Sequence, residues 1–258
     1  MNHITEISYT GFALGFLLIL IPAWFLYRFR TGLVRATLVS VLRMTVQLFL
    51  VGLYLGVLFR WNLWWVNVLW VVVMIFSASF TILHRTKLPL WQLLPSIVAS
   101  LLISMIILDT YFMGAVVQLP HLFEARYFIP VSGMLLGNML SSNVMALNTF
   151  FSRLDRERQY YFYMLANGAS RSEALAPFVR EAIIRSFNPT IASMAVMGIV
   201  SLPGAMTGQI LGGSSPDTAI KYQIMLMITI FSASLVAVLF ALWFCRRRAF
   251  DAYGMKMV

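Results

Sequence analysis

The chain has 258 residues, of which 60% are hydrophobic and 11% charged, and its formal net charge is +10. A soluble domain carries about 25% charged residues, so a water-soluble fold is excluded: it could not hide this much apolar surface, whereas a bilayer can. The positive charge lies between apolar runs, and no basic helix or aromatic RNA-binding motif stands clear of them, so nucleic acid is excluded as a partner.

A spanning helix needs about 20 mainly apolar residues. Seven runs reach that length, at residues 9–27, 36–59, 61–83, 91–113, 127–150, 189–211 and 222–244. The expected fold is therefore all-α, one transmembrane permease-like domain over residues 1–258 built as a polytopic bundle of about seven spans. The first basic residue, Arg28, follows the first run, whereas a signal peptide carries its charge in front. That run is expected to be a retained span.

The connections set the expected orientation. Arg28, Arg30 and Arg35 follow the first run, and Arg85 and Lys87 the third. Arg153, Arg156, Arg158, Arg171, Arg180 and Arg185 follow the fifth, and Arg246, Arg247, Arg248 and Lys256 the seventh. The intervening connections carry only Arg60, Arg126 and Lys221. Basic loops stay in the cytoplasm, which predicts the N-terminus outside, the C-terminus inside, and a multi-pass protein of the cytoplasmic (inner) membrane. Trp61, Trp64, Trp65 and Trp91 lie at predicted helix ends, as an interfacial belt requires.

Arg43 lies inside the second run, with Gln47 one turn on and on the same face. A central Arg costs about 2.5–3.5 kcal/mol on insertion scales, so it either lines an inward polar site, locks two helices, or snorkels to the headgroups. The fifth run places Asn138, Ser141, Ser142, Met145 and Asn148 at three- and four-residue steps, a polar stripe that serves as packing glue or as pathway lining. Asn143 points elsewhere.

The one long connection, residues 151–188, is expected to be a cytoplasmic coupling segment. Asn167-Gly168 is a helix stop, and Ser170 three residues before Glu173 is a capping box. The helix that follows carries Leu175, Phe178, Val179, Ala182 and Ile183 on one face, with Arg180, Glu181 and Arg185 off it. Pro177 should kink it or mark a restart, and Asn188-Pro189 should end it and open the sixth span. In that span Pro203-Gly204 is a break, which serves either as a hinge or site or as an ordinary kink. Ser215-Pro216 reads as an N-cap with Pro at the first helical position, and Asp217 and Lys221 as an i, i+4 pair.

What is missing narrows the function. The sequence has no Gly-Lys dipeptide, hence no P-loop, and no catalytic constellation, so it is not expected to be an enzyme or to bind a cofactor. Cys245 is the one cysteine, and His3, His84 and His121 are too dispersed for metal-ligand spacing. Any metal ligands are therefore unknown: an ion would find mainly Met, Asn, Gln, Ser and backbone oxygens. Acidic residues are absent from the predicted span cores, with Asp109, Glu124 and Asp217 toward the outer side. This argues against a proton- or sodium-coupled carrier.

Four segments together carry a resemblance: SVLRMTVQLFLVG (residues 40–52), GMLLGNM (133–139), LANGASRSEA (165–174) and SLPGAMTGQILGGSSPDTAIKYQIM (201–225). Their order and spacing resemble the iron-export permease family of bacterial ATP-binding-cassette transporters, to which plant aluminium-tolerance half-transporters are similar. The resemblance implies a permease exporting iron or another metal species, paired with a separate cytosolic ATP-binding subunit that carries the ATP and Mg, in a two-plus-two complex built on a permease homodimer in the lipid bilayer. It gives Gly168, Ala169, Ser170, Glu173 and Ala174 a role in coupling to that ATPase. Arg43, Gln47, Asn138, Ser141, Ser142, Pro203 and Gly204 are the candidate pathway. The alternative classes are a self-sufficient secondary carrier or channel, and a membrane scaffold.

Overall fold

The computed structural model describes residues 8–250; His3 and Lys256 lie outside the described residues. Helices α1 (Tyr9–Leu17), α2 (Leu20–Arg28), α3 (Val34–Trp61), α4 (Trp64–Thr86), α5 (Leu90–Tyr111), α6 (Ala125–Arg156), α7 (Arg158–Ala166), α8 (Arg171–Val196), α9 (Gly204–Leu211) and α10 (Pro216–Arg248) follow one another, with a π turn at Phe112–Val116 prolonging α5. The expectation of an all-helical chain holds. In hydrocarbon each backbone amide and carbonyl must be paired within its own segment, and a helix does this without partners.

Five stretches are long and apolar enough to cross a bilayer: Tyr9–Arg28, Val34–Trp61, Trp64–Thr86, Leu90–Val116 and Pro216–Arg248. They coincide with five of the seven predicted runs. The fifth run lies within α6, whose 32 residues would reach about 48 Å at 1.5 Å each. The sixth run does not form one helix. Its first half is the end of α8, which continues unbroken through Pro177 and Pro189, and its second half is α9.

The chain divides into two units. One holds α1–α3 with Leu211–Gly213; the other starts at Leu63 and holds α4–α8, α9 up to Ile210, and α10. In the first, Pro22 separates α1 from α2: its ring cannot donate to the carbonyl of Leu18, and Leu18 and Ile19 bond only three residues back. Trp61 closes α3, and Asn62 ends it in the left-handed region at φ 43°.

In the second unit α6 is central, packed on α4, α5, α8 and α10, and α10 lies along α5. Leu135, Met139, Ala146, Leu147 and Phe150 of α6 are fully enclosed. Small residues recur at four-residue steps on the two helices that pack together, Ser96, Ser100 and Ser104 on α5 and Ala233, Ala237 and Ala241 on α10, all buried. Such spacing lets two helix backbones approach closely, which is how membrane helices gain dispersion energy without a hydrophobic driving force.

Candidate functional site

The segment from Tyr163 to Glu173 is built by two local motifs back to back. The α7 helix ends in a Schellman motif: Gly168 N–H donates to the Leu165 carbonyl at 3.0 Å, and Ala169 N–H to the Met164 carbonyl at 3.1 Å. Gly168 holds φ +88°, a conformation that a Cβ would strain. Ser170 then caps α8: its backbone N–H donates to Glu173 Oε2 at 2.8 Å, its hydroxyl donates to the same oxygen at 2.6 Å, and Glu173 N–H donates back to Ser170 Oγ at 3.4 Å. These bonds, the Ser170 hydroxyl first and its backbone amide second, hold the exposed Glu173 carboxyl below its ordinary pKa. The predicted helix stop and capping box are both present. Gly168, Ser170 and Glu173 are exposed, Ala169 is half-buried, and Ala174 is fully buried where α8 seats on the bundle. The corner is thus a rigid, outward-facing turn anchored by Ala174, Leu175 and Phe178.

Sequence reasoning missed what holds α8 in place. Arg153, in the last turn of α6, pairs with Glu157 at 3.0 Å and with Glu181 of α8. It also donates to the Pro177 carbonyl at 3.2 Å, and its guanidinium sits 5.3 Å from the centre of the Phe178 ring. Glu181 pairs in turn with Arg185 at 2.8 Å. The signal was present as Glu181 off the apolar face of α8, but its partner lies 28 positions upstream, beyond the reach of any periodicity.

Pro189 was expected to open a new span, yet α8 runs on to Val196. The neighbours explain this. Ser186 and Phe187 are buried immediately before the proline, and Phe187 packs edge-to-face on Phe231 of α10 at 5.5 Å, so the helix is braced where one bond is lost. The chain unwinds instead over residues 197–203. Gly198 turns it at φ +87° and donates to the Ser201 carbonyl at 2.9 Å. Ile199 and Val200 are exposed there. Pro203 precedes α9 and Gly204 is its first residue, so the predicted break is real but begins six residues earlier.

The α6 candidates do not share one face. Asn138 and Ser141 are exposed on α6 and bond back to the Met134 and Gly137 carbonyls at 2.8 and 3.1 Å. Met145 and Asn148 share that exposed face. Ser142, expected on the same stripe, is buried beside Asn143, whose Oδ1 lacks a donor. Arg43 and Gln47 are both exposed on α3, in the other unit.

One expectation is corrected. Asp109, expected toward the outer side, is buried against the bundle at 3% exposed, within the apolar stretch Leu90–Val116. Ser132 of α6 donates to its Oδ2 at 2.6 Å, and its Oδ1 has no partner. The π turn carries the helix past residue 113, where the predicted span ended. The predicted start of α10 is confirmed: Ser215 Oγ accepts from Thr218 N–H at 3.3 Å, and Lys221 pairs with Asp217 at 2.7 Å. Among the described residues no group of three His, Cys, Asp or Glu could hold a metal ion.

A model of the uncharacterised protein family UPF0014 matches residues 9–250. The chain is 33% identical over 188 residues to the UPF0014 membrane protein slr1647 of Synechocystis sp. (strain ATCC 27184 / PCC 6803 / Kazusa), covering 73% of each. It is 27% identical over 253 residues to the "Probable iron export permease protein FetB" of Escherichia coli (strain K12), covering 98% of this chain and 96% of that one. With the UPF0014 membrane protein STAR2 of Oryza sativa subsp. japonica it shares 35% identity over 123 residues, 48% of this chain and 43% of the rice protein. No solved structure matches.

Proposed function

The chain belongs to the UPF0014 family of multi-pass membrane proteins, and from that premise we propose that it is the permease subunit of an ATP-binding-cassette transporter that exports iron or another metal species, driven by a separate ATPase. The observation that carries this reading is the continuity of α8. One helix of 26 residues, about 39 Å at 1.5 Å each, joins the exposed capped corner at 168–174 to the unwound segment at 197–203. A partner closing on the corner would push a rod already clamped to α6 by Arg153, and the other end of that rod is a hinge.

Under this proposal the basic connections face the cytoplasm. The chain then crosses seven times from an outer N-terminus, with α6 and the α8–α9 pair as the two more polar crossings, in the cytoplasmic membrane. Two permeases and two ATPases form the complex, ATP and Mg reside on the ATPases, and the exposed Asn138–Ser141 face of α6 is where a second copy would complete the pathway. Iron as the cargo is taken from the name of the bacterial relative.

The test is capture of tagged permease from native membranes in mild detergent, with every stoichiometric partner identified. A soluble P-loop ATPase at about one per permease is the expected result, and recovery of the protein alone, under conditions that keep other membrane complexes intact, overturns it. The buried Asp109–Ser132 pair favours one competing reading, an ion-coupled secondary carrier, since such carriers keep a carboxylate inside the membrane. Uptake or efflux by proteoliposomes without ATP is its signature.

A further inference from the structure

The start of α8 and the end of α10 border two spaces that share one side chain. The first is a groove of about 550 Å³ along α10, lined by Val236, Leu239, Phe240 and Trp243 and, from α8, by Val179. Leu239 and Trp243 are exposed there, and Val179, Val236 and Phe240 are half-buried. The second is a pocket of about 270 Å³, lined by Arg171 and Ser172 from the first turn of α8 and by Arg246 and Arg247 from the last turn of α10. Arg246 borders both. All of these residues belong to the larger unit.

Basic residues at the end of a span need no more than the excess of positive charge on cytoplasmic loops, which accounts for Arg28 and Arg35. That excess does not supply an apolar groove between two helices ending on the same arginine. Aromatic rings hold two of the guanidiniums: Arg247 lies 3.9 Å from the centre of the Trp243 ring, and Arg171 5.6 Å from that of Phe250. Stacking uses the face of a guanidinium, while its N–H groups radiate in the plane, in the fork that matches a phosphate. Among the described residues no Asp or Glu borders either space, and Glu173 turns its carboxylate onto Ser170. Coulomb attraction falls off slowly, so three guanidiniums around one pocket favour an anion without meeting at a point. A free anion would use only the pocket. A second copy docking here by two-fold symmetry would bring the same arginines against these. A molecule with an anionic head and an apolar tail fits both spaces at once.

We propose that the groove and the pocket together hold one anionic phospholipid, its phosphate among Arg171, Arg246 and Arg247 and an acyl chain along Val236, Leu239 and Phe240. Basic pockets between spanning helices are where such headgroups dock, and Trp243 stands at the level where an indole ring anchors a helix in the interface. The bound headgroup bridges the start of α8 to the end of α10, beside the capped corner at 168–174. As a lipid site it stands on these two spaces alone. That the lipid comes from the cytoplasmic leaflet rests on the permease reading and its orientation.

The experiment is native mass spectrometry of the purified, delipidated full chain in detergent, titrated with phosphatidylglycerol or with phosphatidylcholine of the same chains. Wild type retains one phosphatidylglycerol under activation that strips phosphatidylcholine. Arg246→Gln with Arg247→Gln weakens retention about tenfold or more. Val236→Phe, which narrows the groove and keeps every charge, weakens it too. Arg28→Gln with Arg35→Gln, an equal loss of charge at another basic connection, leaves it unchanged, and excess inorganic phosphate does not displace the lipid. Phosphatidylglycerol raises the thermal unfolding midpoint of wild type, since a ligand of the folded state stabilises it. The Arg246 and Arg247 variant unfolds cooperatively without that rise, which separates a folded protein lacking the site from a misfolded one. Equal retention of the two lipids by wild type, equal retention by wild type and the Arg246 and Arg247 variant, equal weakening in the Arg28 and Arg35 variant, or displacement by phosphate overturns the site. So does a lipid-free dimer that Val236→Phe dissociates, which would give the groove to a second copy. Lipid retention is read on this chain alone and the permease reading on capture of the ATPase, so the loss of one and the loss of the other are separate outcomes.

Discussion

Arg153 on α6 and Glu181 on α8 form an ion pair that ties the charged connection to the central helix. The same guanidinium also bonds Glu157 and the Pro177 carbonyl, so a single side chain satisfies three acceptors. An isolated exposed pair adds little, but a guanidinium shared among several acceptors, on a side chain only 25% exposed, is in a different regime. Arg153→Ala is expected to destabilise the protein by about 1–2 kcal/mol, read as a lower midpoint in detergent thermal unfolding. A double-mutant cycle with Glu181→Ala should give a coupling well above that of the exposed Asp217–Lys221 pair.

Glu173→Arg should lower recovery of the ATPase with the permease, while Glu173→Gln, which keeps the capping box, should not. Normal complex yield together with normal stimulated ATPase activity in Glu173→Arg removes the coupling role of the 168–174 corner.

The capping box gives that corner a pH dependence of known sign. The Glu173 carboxyl is held below its unfolded value of about 4.3 by the Ser170 hydroxyl and backbone amide. Its contribution to the start of α8 is therefore complete above that value and is lost as pH falls through the folded value. Amide exchange at residues 171–174 should accelerate in acid in wild type, and should show no such step in Glu173→Gln.

Gly168→Ala should cost about 1 kcal/mol, because φ +88° is left-handed backbone that a Cβ disfavours. Gly168→Asn should cost less. Nothing lies within 4 Å of a Cβ built there, so the effect is conformational rather than steric crowding. Equal stability of both variants and wild type in thermal unfolding refutes this.

Ser132→Ala removes the hydroxyl that donates to Asp109 Oδ2 inside the bundle, so it should destabilise by about 1–3 kcal/mol. Replacing both partners, Asp109→Leu with Ser132→Ala, should recover most of that loss, since an apolar pair leaves no orphan. In liposomes, ATP-independent transport that disappears with Asp109→Leu would promote the carrier reading.

Motifs that act within four residues could be read from the chain itself. The stop at Asn167-Gly168, the Ser170–Glu173 box, the Ser215-Pro216 cap and the Asp217–Lys221 pair all stand as expected, because both partners of each bond lie within one helical turn. The five apolar spans were equally legible, since transfer into lipid depends on composition summed along a segment. Tertiary structure decided the rest. Whether Pro189 starts a helix or is carried inside one depends on Phe231 of another helix bracing Phe187. Whether a polar residue faces out, like Asn138, or in, like Ser142 and Asp109, depends on which neighbours close over it. Arg153 finds Glu181, and Arg171 meets Arg246 and Arg247 at one pocket, only after the helices have docked. Periodicity fixes which residues share a face of one helix; it carries no information about the helix that covers that face.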